Sequence, residues 1–382
     1  MAITFTVTVQ GRPLKRTYLS HFDFFRNPQT VFVRTDEAGR ATIGSVVSTA
    51  QIQVRVHAQN AVVRSLDGNF PIPVEVSQEF TVSNQGTINI NTDAEQQDHF
   101  RIIEHCLDAY DTVWRQFRPF NRSGRGAFPF GTGGTIAQDR GRLPRIEVVY
   151  PDNSPAQVAF TEPVSLGTGH PLIHIKHKSQ DARLFGSTAQ NVDATLIPHE
   201  IAHALYFALM PLSTRASVET GYLAWITSQV AAGLPPFHNT TTATTEFVAW
   251  IEALGIFSER LFFFAKRHTP PLTGADLRRS FFRDELSAAP LLQTTNLTGY
   301  TQIGTLNGNG VVPMLTGDDV EGAVYGSIFV DLARRPGLRE AVGQYIGSSD
   351  DSVLGFDDFR NLLISETDFD ADIVAVANTW GL

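Results

Sequence analysis

The feature that most narrows the fold of this chain is a change of hydrophobic period near residue 92. Before it, Ile3, Phe5, Val7 and Val9 alternate with Thr4, Thr6 and Thr8, and the same period of two returns at Ile52, Val54, Val56 and at Val74, Val76. Successive strand side chains point to opposite faces, so such a run has one buried and one solvated side. Between Val31 and Ile43, Thr35-Asp36-Glu37-Ala38-Gly39 separates two short apolar runs as a turn between strands does. Short strands at this spacing predict a β-sandwich over residues 1–91. Beyond it, Thr92-Asp93-Ala94-Glu95 reads as a capping box, in which hydroxyl and carboxylate satisfy the free amides of a new helix. Phe100, Ile103, Leu107, Tyr110, Trp114 and Phe117 then follow helical spacing until Pro119. Residues 92–382 read as mainly helical, with strand candidates at 145–150 and 172–176. The expected class is α+β, with two domains meeting near residue 92; 382 residues are enough for two cores.

Composition removes several functions. The net charge of −9 argues against a nucleic-acid backbone as partner, which would demand a basic face. No apolar stretch approaches a membrane span: Leu261–Ala265 is short and flanked by Arg260 and Lys266. Met1–Gln10 lacks a basic start followed by an apolar run and is not read as a signal peptide. A cytoplasmic protein, or one exported by a signal-independent route, is the expectation. Cys106 is the sole cysteine, which excludes an internal disulfide and fits a reducing compartment. The stretch 121–142 is rich in Gly and Arg, but Gly131-Thr132-Gly133-Gly134 lacks a following phosphate-loop lysine and is read as a surface loop.

The chemistry concentrates at Pro198-His199-Glu200-Ile201-Ala202-His203. Residues four apart on a helix lie one above the other, so His199 and His203 can converge on one metal ion. Glu200 sits near enough to the same face to act on a water there. Ile201, Ala204, Leu205 and Leu209 would pack the helix from behind. Pro198 is tolerated if Thr195 is the N-cap, because a first-turn proline forfeits no helical hydrogen bond. A third ligand has to come from elsewhere in the chain, and the acidic candidates are Glu219, Glu246, Glu252 and Glu321. Glu321 is also explained as part of a capping box opened by Asp318-Asp319.

The HExxH pattern of His199–His203 resembles the zincin motif of metallopeptidases. No Gly-x-x-His follows in the manner of metzincins, so the resemblance points to gluzincin-like or aspzincin-like branches, which take an acidic third ligand. Glu246-Phe247-Val248-Ala249-Trp250 is similar to the segment that supplies the gluzincin glutamate, with Phe247 in place of the usual glycine. The resemblance implies Zn2+ held by His199, His203 and Glu246, with Glu219 as the rival third ligand. Glu200 is the implied general base, and Tyr325 on a later helix, or His238, the oxyanion donor. His170, His174 and His177 lie on or beside the strand before the metal helix, which in zincins borders the substrate cleft. The Thr35–Gly39 turn loosely resembles Ig-like or transthyretin-like modules that precede bacterial peptidase domains. The whole is then an N-terminal sandwich followed by a zincin-like catalytic domain with a small sheet. Its implied activity is zinc-dependent peptide-bond hydrolysis, and the lack of an exopeptidase signature favours an endopeptidase acting on peptides or proteins. The alternative is a catalytically silent zincin-shaped binding or assembly protein carrying the β-sandwich as an interaction module.

Overall fold

The computed structural model describes residues 2–22, 31–44, 51–60, 62–68, 72–81, 87–90, 94–114, 146–154, 159–164, 169–177, 197–209, 212–233, 246–270, 304–307, 310–313 and 355–380. Isolated positions at 272, 276, 280, 328, 331, 332, 335 and 338 complete the set. The chain is mixed, with strands in sheets and helices, so the α+β class holds at that level. It divides into two compact units. The first comprises Met1–Asp108, Arg145–Phe160 and Leu172–Ile197, the second Ala109–Pro144, Thr161–Pro171 and Pro198–Leu382.

In the first unit, β1 (Ile3–Val9) pairs antiparallel with β2 (Arg12–Pro13) and with β5 (Arg40–Ile43). It also pairs in parallel with β9 (Thr87–Ile90). Its alternation is realised as expected: Ile3, Phe5, Val7 and Val9 are all buried. A second antiparallel sheet runs in the order β4 (Val31–Arg34), β3 (Tyr18–Phe22), β6 (Gln51–His57), β8 (Glu75–Thr81), burying Leu19, Ile52, Val54 and Val56. The turn between β4 and β5 forms where its residues predict. Asp36 Oδ1 accepts from the amides of Ala38 and Arg40 at 2.9 and 2.8 Å. Gly39 has φ +73°, and a Cβ there would meet the Val7 carbonyl at 2.7 Å.

The remaining strand of the N-terminal segment, β7 (Val63–Asp67), belongs to neither sheet. It pairs in parallel with β10 (Ile146–Tyr150), which pairs in parallel with β12 (Leu172–His174). Arg64 stands opposite Glu147 and forms an ion pair with it, pinning the register. Helix α1 (Ala94–Ala109) also belongs to this unit through Asp108; its Phe100, Ile103 and Leu107 are buried, and Asn60 donates to the Ile103 carbonyl at 2.6 Å. The units therefore do not part at residue 92. Parallel strands need long crossover connections, and the crossover from β7 carries the first unit past any boundary drawn from the change of period. The caps expected at Thr92 and Thr195 and the stretch 121–142 lie outside the described residues.

The second unit is helical where described, apart from a hairpin of β13 (Gly304–Asn307) and β14 (Gly310–Pro313) and the short strand β11 (Phe160–Glu162), whose first residue falls in the first unit. Its helices are α2 (Ile197–Leu209), α3 (Leu212–Ala231), α4 (Glu246–Arg267), α5 (Phe356–Glu366) and α6 (Asp370–Trp380). Pro198 falls in the first turn of α2, where its missing amide costs nothing. Ile201, Ala202, Ala204, Leu205 and Tyr206 of α2 are buried, as are Ala249, Trp250, Ala253, Leu254 and Leu261 of α4. Trp250 Nε1 donates to the Tyr206 hydroxyl at 3.2 Å, and the Trp250 ring packs on Phe359 of α5 with centroids 5.1 Å apart. Packing of α2 on α4 sets the functional groups of the two helices against each other. Among the described residues, no helix is long and apolar enough to cross a membrane.

Candidate metal centre

His199, Glu200 and His203 all lie on the buried side of α2, with 6%, 3% and 5% of their surfaces exposed. Three adjacent ionisable side chains inside an apolar helix interface demand partners, because an unpaired buried polar group costs several kcal/mol or about that order. The partners come from α4. Glu252 Oε2 lies 3.1 Å from His199 Nε2, and Glu252 Oε1 lies 3.5 Å from His203 Nε2. The imidazoles meet edge to face with centroids 4.6 Å apart. His199, His203 and Glu252 each offer one ligand atom, all within 4.8 Å of one another, and the group could hold a metal ion.

The donor set fits such an ion. Two ligands each about 2.0–2.1 Å from a tetrahedral metal are about 3.3–3.5 Å apart, close to the two nitrogen–oxygen distances found here. The Nδ1 atoms of His199 and His203 are buried and have no hydrogen-bond partner among the described residues. Glu259, also on α4, brings its Oε2 to 3.8 Å from the His199 Nδ1. Burial alone would push the His199 imidazole down. The carboxylates of Glu252 and Glu259 outweigh burial and hold it up at about 10.

Glu200 is oriented separately. Thr161, on β11, donates its hydroxyl to Glu200 Oε2 at 2.8 Å and to the Glu200 carbonyl at 3.3 Å. A carboxylate fixed at one oxygen presents the other in a defined direction, which suits a group that exchanges a proton with a nearby reactant.

Of the acidic residues considered from sequence, the structure gathers Glu252 and not Glu246. Glu246 opens α4, and its Oε1 accepts from the Asp357 amide at 3.4 Å in the first turn of α5. A Cβ at Gly355, the residue before α5, would strike the Glu246 carboxylate. Glu246 thus takes the place of an N-cap side chain for α5. Six residues advance an α-helix by about 240°, so Glu246 and Glu252 face different neighbours. Glu219 lies on α3 outside the metal group, its carboxyl pushed up by burial and by Glu162. Tyr325, His238 and Glu321 lie outside the described residues. His174 turns its Nδ1 to Asp152 at 3.2 Å and stacks on Phe160 at 4.2 Å.

Glu259 was not reached from sequence at all. Its signal is the spacing Glu252-x-x-Gly255-x-x-x-Glu259, which aligns two acids and a glycine on one face of a helix whose other side carries the buried Trp250, Ala253, Leu254 and Leu261. Acids on a helix that is buried on both sides need something to face. No family model matches the chain, and no curated protein matches it.

Proposed function

We propose that this chain is a zinc-dependent hydrolase of peptide bonds, with His199, His203 and Glu252 holding the metal and Glu200 serving as general base. The observation that carries the reading is the convergence of Glu252 from α4 on two buried histidines one helical turn apart. Two imidazoles and one carboxylate are a donor set of catalytic zinc sites, which leave a position open to substrate. When bound, zinc supplies Lewis acidity, polarising a carbonyl and making a water more acidic.

The chain's own groups do the rest. Glu252 balances charge, while both imidazoles must be neutral to act as ligands. Glu200 takes a proton from the attacking water and returns it to the leaving nitrogen, its other oxygen anchored by Thr161. Within this reading the first unit is an Ig-like sandwich elaborated by the parallel strands, and the second a zincin-like, gluzincin-related catalytic unit. The substrate class is peptide or protein, cut internally.

The test combines metal analysis with turnover. About one zinc per chain is expected in the wild type, with loss in His203→Ala and in Glu252→Ala. Glu200→Gln should keep the zinc and lose at least about a thousandfold in peptidase activity, as removal of a general base together with its electrostatic role does. Full activity in Glu200→Gln, or zinc retained in Glu252→Ala, overturns the assignment of roles.

A further inference from the structure

Glycine is a poor choice in a helix interior, since it forfeits backbone entropy and packs nothing. Gly255 nevertheless occupies the middle of α4, buried, one turn after Glu252 and one turn before Glu259. A Cβ at this position would stand 2.8 Å from Cε1 of His199 and 2.9 Å from each of its ring nitrogens. Those distances are shorter than real Cβ atoms tolerate, so any side chain here displaces the ring.

The ring has nowhere equivalent to go. Its Nε2 faces Glu252 at 3.1 Å, its Nδ1 faces Glu259 at 3.8 Å, and its residue is buried. Glu259 is 3% exposed, so its carboxylate is held in place by the interior rather than by solvent. The three α4 positions line one helix face and contact a single imidazole from three directions.

We propose that Gly255 and Glu259 are positioning residues that set metal affinity, Gly255 by admitting the His199 ring against the bare helix surface and Glu259 by placing a carboxylate 3.8 Å from its Nδ1. Nε2 is thereby left pointing at Glu252, with which it would hold the ion. This inference rests on the metal-centre reading above. The physical basis is general: an outer carboxylate on the far nitrogen of a ligating imidazole fixes its tautomer and orientation, and its loss costs about 10- to 100-fold in metal affinity.

The test is zinc affinity measured by competition with a chromogenic chelator, for wild type, Gly255→Ala, Glu259→Gln and the double variant. Each single variant should bind about 10- to 100-fold more weakly. The double variant should be little weaker than the worse single one, because both act through the same ring. The thermal midpoint of the metal-free protein should fall in Gly255→Ala, since the displaced ring loses its place between Glu252 and Glu259. In zinc-loaded protein, long-range proton–nitrogen spectra should show the proton of His199 on Nδ1, with a resonance that moves in Glu259→Gln. If Gly255→Ala does not fold, the isosteric Glu259→Gln decides alone. Wild-type affinity in both single variants, with binding lost in His203→Ala, overturns this proposal and leaves the metal centre standing. A wild type that takes up no zinc overturns both.

Discussion

At the scale of single residues, the contact between Thr161 and Glu200 separates positioning from packing. Thr161→Val keeps the shape of the side chain and removes the hydroxyl that donates to Glu200 Oε2. Peptidase kcat should fall about tenfold with zinc content unchanged, while Thr161→Ser should stay near wild type. Equal loss in both variants would assign Thr161 to packing instead. His199 carries a second expectation. Its folded pKa, about 10, is above the ordinary value of 6.5, so its protonated form adds stability to the metal-free protein. That contribution is complete below about pH 6.5 and disappears as pH rises through about 10. Since a ligating imidazole is neutral, zinc binding at neutral pH should release about one proton from His199. Calorimetry in buffers of different ionisation enthalpy measures this release, and its absence would contradict the carboxylate-paired imidazole. The histidines were legible in sequence because their geometry is local, one turn of one helix. Glu252 was one acid among several, since its selection depends on which face α4 turns to α2, a tertiary fact. The homologous-looking segment at Glu246 points elsewhere by two-thirds of a turn.

Among elements, the end of β10 and the end of β12 are joined by a buried ionic cluster. Lys176, 2% exposed, directs Nζ to Asp152 Oδ2 at 2.5 Å and donates to the Ser154 carbonyl at 2.6 Å. Ser154 Oγ donates to Asp152 Oδ2 at 2.6 Å, and His174 faces Asp152 Oδ1 at 3.2 Å. Burial would push the Asp152 carboxyl up, but the bonds from His174, Lys176 and Ser154 hold it well below the ordinary range. A depressed carboxylate stabilises the fold above its unfolded pKa, near 4, and that stability is lost as pH falls below it. Asp152→Asn leaves a buried ammonium uncompensated and should cost about 3–5 kcal/mol in urea unfolding at pH 7. The difference from wild type should shrink below about pH 4; a constant difference would show that shape rather than charge is at stake. Neither residue stood out in sequence, because a lysine at the end of a strand candidate and an aspartate in a polar-looking loop carry no sign of burial. The strands did stand out: alternation is a local property, and β1 and β6 bury the residues that their period of two assigns to one face. Their pairing is non-local. Nothing near β7 announces that its neighbour is β10.

For the whole molecule, the consequence is that the N-terminal segment shares a sheet with strands far along the chain, since β7 pairs with β10. A fragment of residues 1–91 keeps β7 but lacks α1, β10 and β12, which complete its unit. Such a fragment should fail to unfold cooperatively in denaturant, whereas the full chain should show a sharp transition. A cooperative, native-like fragment would restore the boundary at residue 92. The change of period there marks where strands give way to a helix. The same threading imposes an order on synthesis. When Asp67 has left the ribosome, about 80 residues must still be added before β10 exists, which at about 5–20 residues per second takes about 4–16 s. During that interval one side of β7 offers unpaired amides and carbonyls to any strand that passes. Arg64 and Asp67, charged and half-buried in the finished sheet, are the residues that make this waiting edge a poor template for foreign strands.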